Sequence, residues 1–186
     1  MTLYIKNMVC NRCIMVVDTE LRKLGLNPLR VQLGEVEIRE TPDKVMKAKL
    51  TENLQALGFD LIDNKKSRII EKIKNTIIEL VHHQENASDK KLSALLTEAL
   101  PYDYNYLSNL FTAIEGITIE KYFIAQKIEK VKELLVYDEL TLSEIAFRLN
   151  YSSVAYLSNQ FKKITGLTPS HFKRIGIEKR KALDKV

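Results

Sequence analysis

Tryptophan is absent from the 186 residues, and cysteine, histidine and proline are scarce at two, three and four. So few cysteines exclude a disulfide framework. The pair that exists, Cys10 and Cys13, stands three apart, a spacing poor for a staple and good for a metal or redox site. No apolar run approaches the roughly 18 residues of a membrane span, and the N-terminus lacks the apolar core of a secretion signal. A cytoplasmic protein without membrane contact is therefore expected. No Ser-His-Asp set, paired carboxylates or phosphate-cradling glycine loop stands out, so the chain does not read as an enzyme.

What is present is enough apolar residue, 45%, for one large or two small packed domains, and a net charge of +5. The charge is uneven. Residues 1–64 are neutral overall, 65–100 carry +2, 101–140 carry −3, and 141–186 carry +6. A polyanion would dock at the last of these.

The first 64 residues alternate short elements. Leu3–Lys6 reads as a strand, Met8–Cys13 as a loop, and Ile14, Val17, Leu21 and Leu24 as one stripe of a helix stopped by Gly25. Leu29–Arg39 alternates around Gly34 as a hairpin. Thr41 and Pro42 are placed to start a second helix with Val45, Met46, Leu50, Leu54 and Leu57 inward, and FDLID follows as a last strand. The order is βαββαβ, a ferredoxin-like arrangement in a chain of α+β class.

With the loop NMVCNRC and the closing LGFDLID, residues 2–64 resemble the heavy-metal-associated domain of copper chaperones and copper-pumping ATPases. The resemblance implies a metal loop in which Cys10 and Cys13 are thiolate ligands and Met8 packs beneath them. Two soft sulfurs suit Cu(I) or another soft metal ion, whereas a closed tetrahedral zinc site needs four ligands. A helix N-terminus and the neighbouring Arg12 would ease deprotonation. Asn7 stands where the family often has glycine, and asparagine tolerates a left-handed backbone. A thiol redox pair, a metal carrier and an inherited scaffold with idle thiols remain alternatives.

NKKSR, from Asn64, reads as a linker or an exposed helix start. Ile69, Ile70, Ile73, Ile77, Leu80 and Val81 then share one helical face, either packing on the following domain or forming the seam of a homodimer. His82 and His83 fall at its end, where a solvated histidine suits the helix dipole. ENASDKK reads as a loop.

From Thr141 to Arg174 the pattern is a helix-turn-helix. Leu142, Ile145, Ala146 and Leu149 make one helix, Ser152 or Ser153 can cap a second that carries Leu157, Phe161 and Ile164, Gly166 ends it, and Thr168-Pro169 starts a third. The stretch is a repeat. From Leu92/Leu142 to Tyr122/Phe172, ten of 31 pairs fifty apart are identical without a gap, including Ser108-Asn109 with Ser158-Asn159 and Gly116 with Gly166. Between the units, Ile119–Tyr137 reads as a helix roughly 27 Å long, near the ~34 Å turn of DNA that two reading helices must span.

Residues 69–175, above all IAFRLNYSSVAYLSNQFKKITGLTPSHFKR, resemble the DNA-binding domain of the AraC/XylS family of bacterial transcription regulators. The resemblance implies sequence-specific binding to double-stranded promoter DNA, a recognition helix in each of two successive major grooves, and contacts with RNA polymerase. With Leu157, Phe161 and Ile164 inward, Ser152, Val154, Ala155, Ser158 and Asn159 become base-edge candidates, and Asn159 can read adenine bidentately. Lys162, Lys163, Lys173 and Arg174 are phosphate candidates. The first unit offers Tyr104, Asn105, Ser108 and Asn109 for bases, with Tyr106 and Tyr156 packed or facing phosphate. Two cysteines are too few for the four-cysteine zinc site of a DNA-repair methyl acceptor built on such a domain. The expected organisation is a metal-binding or partner-docking domain at 1–64 and a DNA-binding domain at 65–186.

Overall fold

The computed structural model describes residues 1–62, 64–83 and 90–175. Asp63, residues 85–89 of the ENASDKK loop and the basic residues beyond Arg174 from 176 on lie outside the described residues. A small antiparallel four-stranded sheet with helices comes first and an all-helical region follows. The chain divides into two compact units, Met1–Asn75 and Thr76 onward. The division falls eleven residues later than 64/65.

In the first unit the elements run β1 (Thr2–Lys6), α1 (Asn11–Lys23), β2 (Pro28–Gln32), β3 (Glu35–Ile38), α2 (Lys44–Ala56) and β4 (Asp60–Leu61). The sheet order is β2-β3-β1-β4. Leu3 and Ile5, two apart on β1, point into the core with Val17 and Leu21 of α1 and Leu50 and Leu54 of α2. Gly34, with φ of 77°, turns the hairpin in a conformation that favours glycine.

Four expectations change here for local reasons. The register of β2 shifts between Pro28 and Arg30, which breaks the alternation and leaves Leu29 exposed. Helix α2 is capped not by Thr41 but by Asp43, whose carboxylate accepts from Met46 N at 2.7 Å. Met46, Leu50 and Leu54, four apart, share the core side and Val45, about 100° before Met46, falls outside it and is 77% exposed, while Leu57 lies past the helix end in the open. The last strand is only two residues, although Phe59 and Ile62 beside it are buried.

NKKSR is a helix start. Asn64 caps α3 (Lys65–Ile78) by accepting from Ser67 N at 2.7 Å. The first turns of α3 pack on the sheet face opposite Leu3 and Ile5. Arg68 lies 4.4 Å above the Tyr4 ring, and Glu71 accepts from Asn7 N at 2.8 Å. Asn75 lies so close to Gly34 that any side chain there would meet its amide. Ile70, Ile73 and Ile77 are buried within the chain, so α3 presents no open heptad seam.

The second unit takes in the end of α3 and a π-helical turn, Glu79–His83, followed by α4 (Leu92–Ala99), α5 (Tyr104–Glu115), α6 (Ile119–Tyr137), α7 (Leu142–Arg148), α8 (Val154–Thr165) and α9 (Pro169–Ile175). The fifty-residue repeat recurs in its punctuation. Asp103 and Ser153 cap α5 and α8 by accepting from Tyr106 N and Tyr156 N at 2.9 and 3.1 Å. Gly116 and Gly166 end those helices at φ of 72° and 76°. Thr118 and Thr168 then accept from Lys121 N and His171 N to start α6 and α9. The cores repeat too, with Phe111 5.6 Å from Tyr122 and Phe161 5.5 Å from Phe172 between ring centroids.

Helix α6 supplies Ile128, Val131, Leu134 and Leu135 to the core under α7, α8 and α9. It also buries Gln126, whose amide donates to the Tyr122 hydroxyl at 3.0 Å. His82 is not solvated. Its side chain is 3% exposed and its Nε2 sits 3.0 Å from Gln126 Oε1, because the π turn aims it at α6. Burial pulls its pKa down to about 4, so the ring is neutral near pH 7.

Candidate nucleic-acid interface

Helix α8 hangs from Leu157 and Phe161, both fully buried. Ile164 continues their spacing but is 47% exposed, as is its counterpart Ile114 on α5. Both stand in the final turn beside a glycine cap, and in the second unit Leu167, past the glycine, packs on the core instead. The opposite face of α8 presents Ala155 and Asn159 outward, with Ser152 exposed just before the helix and Ser158 half-buried. Val154 departs from its expected place. It is half-buried against the core, which leaves Ala155 as the outward apolar group.

Lys162 and Lys163 are exposed in the last turn of α8, and no acidic group among the described residues pairs with either. Lys173 and Arg174 are also exposed on α9, but Lys173 pairs with the Asp138 carboxylate and Arg174 Nη2 lies 3.3 Å from His171 Nδ1. The four expected phosphate contacts thus divide into two open cations and two engaged ones. Sequence reasoning passed over Arg148, exposed at the end of α7 with no acidic partner among the described residues.

On α5, Asn105 and Asn109 are exposed and Ser108 is half-buried. Tyr104 is half-buried and its hydroxyl donates to the Glu120 carboxylate, so it is less open to a base edge than its position implied. Burial, then the Glu120 contact, raises its pKa well above the ordinary phenol value. Tyr106 and Tyr156 are 41% and 54% exposed, each against another tyrosine ring, Tyr102 at 5.2 Å and Tyr151 at 6.0 Å. They are not core residues. Between the two helix-turn-helix units α6 is 19 residues, about 28 Å at the helical rise.

In the first unit, Cys10 caps α1 and Cys13 lies in its first turn, with Sγ atoms 3.5 Å apart and both thiols free and half-buried. Met8 is fully buried in the core against which Cys13 packs, and Asn7 takes the left-handed backbone, φ 69°, with its side-chain amide donating to Gly58 O at 2.9 Å. Burial pushes the Cys13 thiol up, against the easier deprotonation that the helix start and Arg12 suggested. Among the described residues no three His, Cys, Asp or Glu side chains cluster as a metal cage. A pair of sulfurs is a donor set that would suit a soft monovalent ion, whereas a closed zinc site needs four ligands. Among the described residues no helix is long and apolar enough to cross a membrane.

Two capped helix-turn-helix units joined by a buried helix define a DNA-binding architecture. Residues 96–175 match the family described as helix-turn-helix domain, and this region is a DNA-binding domain of AraC/XylS type. The chain is 25% identical over 160 residues to the uncharacterized HTH-type transcriptional regulator YtdP of Bacillus subtilis, covering 86% of this chain and 20% of that protein. It is 27% identical over 103 residues to the xylose operon regulatory protein of Escherichia coli, covering 55% of this chain and 26% of that one. It thus spans about a fifth to a quarter of these curated relatives. Among solved structures it resembles the C-terminal domain of AraT, a response regulator from Geobacillus stearothermophilus. The identity is 29% and the TM-score 0.52, with 64% of this chain and 95% of that one covered.

Proposed function

We propose that the chain is a sequence-specific transcription regulator whose α5 and α8 enter successive major grooves of promoter DNA. The observation that carries this is the fifty-residue repetition of caps and cores, which gives α5 and α8 the same outward face. Asn109 and Asn159 hold corresponding exposed positions on it. An asparagine there pairs with the N6 and N7 atoms of adenine, so A·T pairs are the expected preference. DNA selection with the full chain tests this. Asn159→Ala should relax one base position while leaving the rest of the motif intact, and an unchanged motif would remove Asn159 from base reading.

For the first unit the proposal is a ferredoxin-like domain of the heavy-metal-associated kind, in which Cys10 and Cys13 hold Cu(I) or another soft metal. Supporting it are the sheet order, the paired free thiols and the buried Met8. Cys10 and Cys13 would hold the ion as thiolates, giving up their protons to do so. Asn7, at the head of the loop, is fixed by Glu71 of α3, so a change at the loop can reach that helix. Selection repeated with Cu(I), beside a Cys10→Ser control, separates a metal-responsive regulator from one whose first domain only docks a partner or a second copy. Equal promoter binding in both arms would remove the metal response.

A further inference from the structure

A cavity of about 150 Å³ opens among the π turn, α4, α6 and the end of α7, entirely inside the second unit. It touches both helix-turn-helix units, through Leu95 on one side and Arg148 on the other, with Phe123 of α6 between. Four cations line it. Lys90 is engaged by both carboxylate oxygens of Glu98 at 2.8 and 2.9 Å, and Lys130 by Glu133 at 3.3 Å. Lys127 and Arg148 have no acidic partner among the described residues.

Lys127 is the unusual one. Its ammonium is half-buried, 3.8 Å from the centre of the Tyr151 ring and 5.6 Å from that of Phe123. Aromatic faces attract a cation but do not neutralise it. Burial alone draws its pKa down to about 8, so the charged form is held at a disadvantage. A partly desolvated cation attracts an anion more strongly than a surface lysine does, because water screens it less. The rest of the lining is largely apolar, including Phe123 and Leu95. A cavity near 150 Å³ is the size that accepts a six-carbon ring.

We propose that this cavity binds a small organic monocarboxylate with an apolar body of about six carbons, its carboxylate on Lys127 and Arg148 and its body against Phe123 and Leu95. Because both helix-turn-helix units contribute walls, an occupant favours some relative arrangements of α5 and α8 over others. Occupancy then changes DNA affinity, a coupling that rests on the DNA-binding reading above.

The test is calorimetric titration of the full chain with hexanoate, 1-hexanol and acetate, repeated on Lys127→Met and Arg148→Gln. Hexanoate should bind saturably, one per chain. The apolar-only and charge-only probes should bind about tenfold more weakly or worse, and each variant should lose about tenfold or more in hexanoate affinity. Arg148→Gln alters an exposed side chain and keeps the test valid should Lys127→Met fail to fold. Equal binding of hexanol and hexanoate, or unchanged hexanoate binding in Arg148→Gln, overturns the proposal. So does weaker DNA binding by the variants with no loss of hexanoate affinity, which would assign these cations to phosphate. DNA affinity with and without saturating hexanoate reads the coupling. A shift supports it and no shift removes it. Loss of DNA binding altogether, with hexanoate still bound, would count against the regulator and leave the cavity standing.

Discussion

The two helix-turn-helix units share one backbone plan and differ in charge. Residues 92–123 carry one lysine against four acidic side chains, whereas residues 142–173 carry four basic side chains against one glutamate. Net charge is −3 in one and +3 in the other over equal length. The caps of α5 and α8 and of the helices that follow them, the glycines and the paired aromatic rings recur in both, so these fix the fold. Charge is free to differ, and under the proposed function it would decide how each half meets DNA. The second half has open lysines at the end of α8, where the first has Thr112 and Ala113. Its first helix is also better anchored. Thr141 and Glu144 form a reciprocal capping box, while Lys91 at the matching position offers α4 no side-chain cap.

The largest effect should come from removing the matched rings. Phe111→Ala and Phe161→Ala should each cost about 3–5 kcal/mol in denaturant unfolding. A large disparity would break the equivalence of the two cores.

Next comes acid. The chain His82–Gln126–Tyr122 ends on the ring that packs with Phe111, and Phe172 at the matching place has no hydroxyl. His82 titrates at about 4 when folded and near 6.5 when unfolded, so between those values the unfolded chain binds more protons. The stability of the neutral buried ring is fully present above pH 6.5 and lost as pH falls towards 4, about 3 kcal/mol in all. Lys130 and His83 add to the downward shift and Glu133 opposes it. Hydrogen exchange should show α5 and the start of α6 opening before α8 on acidification, with the extra loss absent in His82→Asn. Simultaneous opening in both proteins would discount the asymmetry.

A smaller effect is expected from giving the first half the lysines of the second. Thr112→Lys with Ala113→Lys should tighten DNA binding for all sequences and steepen its salt dependence by up to about 1.8, two phosphates' worth. Smallest is the capping box. Thr141→Ala should cost about 1 kcal/mol, whereas Lys91→Ala should stay within about 0.5 kcal/mol. Equal losses would deny the second half its firmer start.

Much of this was legible in the chain. The helix from Ile119 to Tyr137 was readable from its apolar period, and Gly116, Gly166, Thr118 and Thr168 marked the ends that the structure shows. What escaped depended on contacts distant in sequence or on helix phase. Ile164 has core spacing but stands where its helix has run past the core. His82 looked like a dipole-facing surface residue because nothing in its neighbourhood names Gln126, 44 positions away. Tyr104 read as open until Glu120 was placed beside it. Val45 needed only a stricter reading of helix phase. At about 100° per residue it falls well away from the face that Met46, Leu50 and Leu54 share, so its exposure follows from the period itself. For the cation cavity, Lys127 sits in a helical pattern like any solvated lysine, and its aromatic neighbours come from separate parts of the chain.

We propose that the second helix-turn-helix half, and not the first, anchors the DNA backbone, through Lys162 and Lys163. The most direct measurement is the dependence of DNA affinity on salt concentration for the chain and for Lys162→Gln with Lys163→Gln. The magnitude of the slope of log affinity against log salt should fall by about 1.8, with affinity lowered for every sequence alike. A slope equal to that of the unaltered chain would contradict the claim and move the anchoring contacts elsewhere.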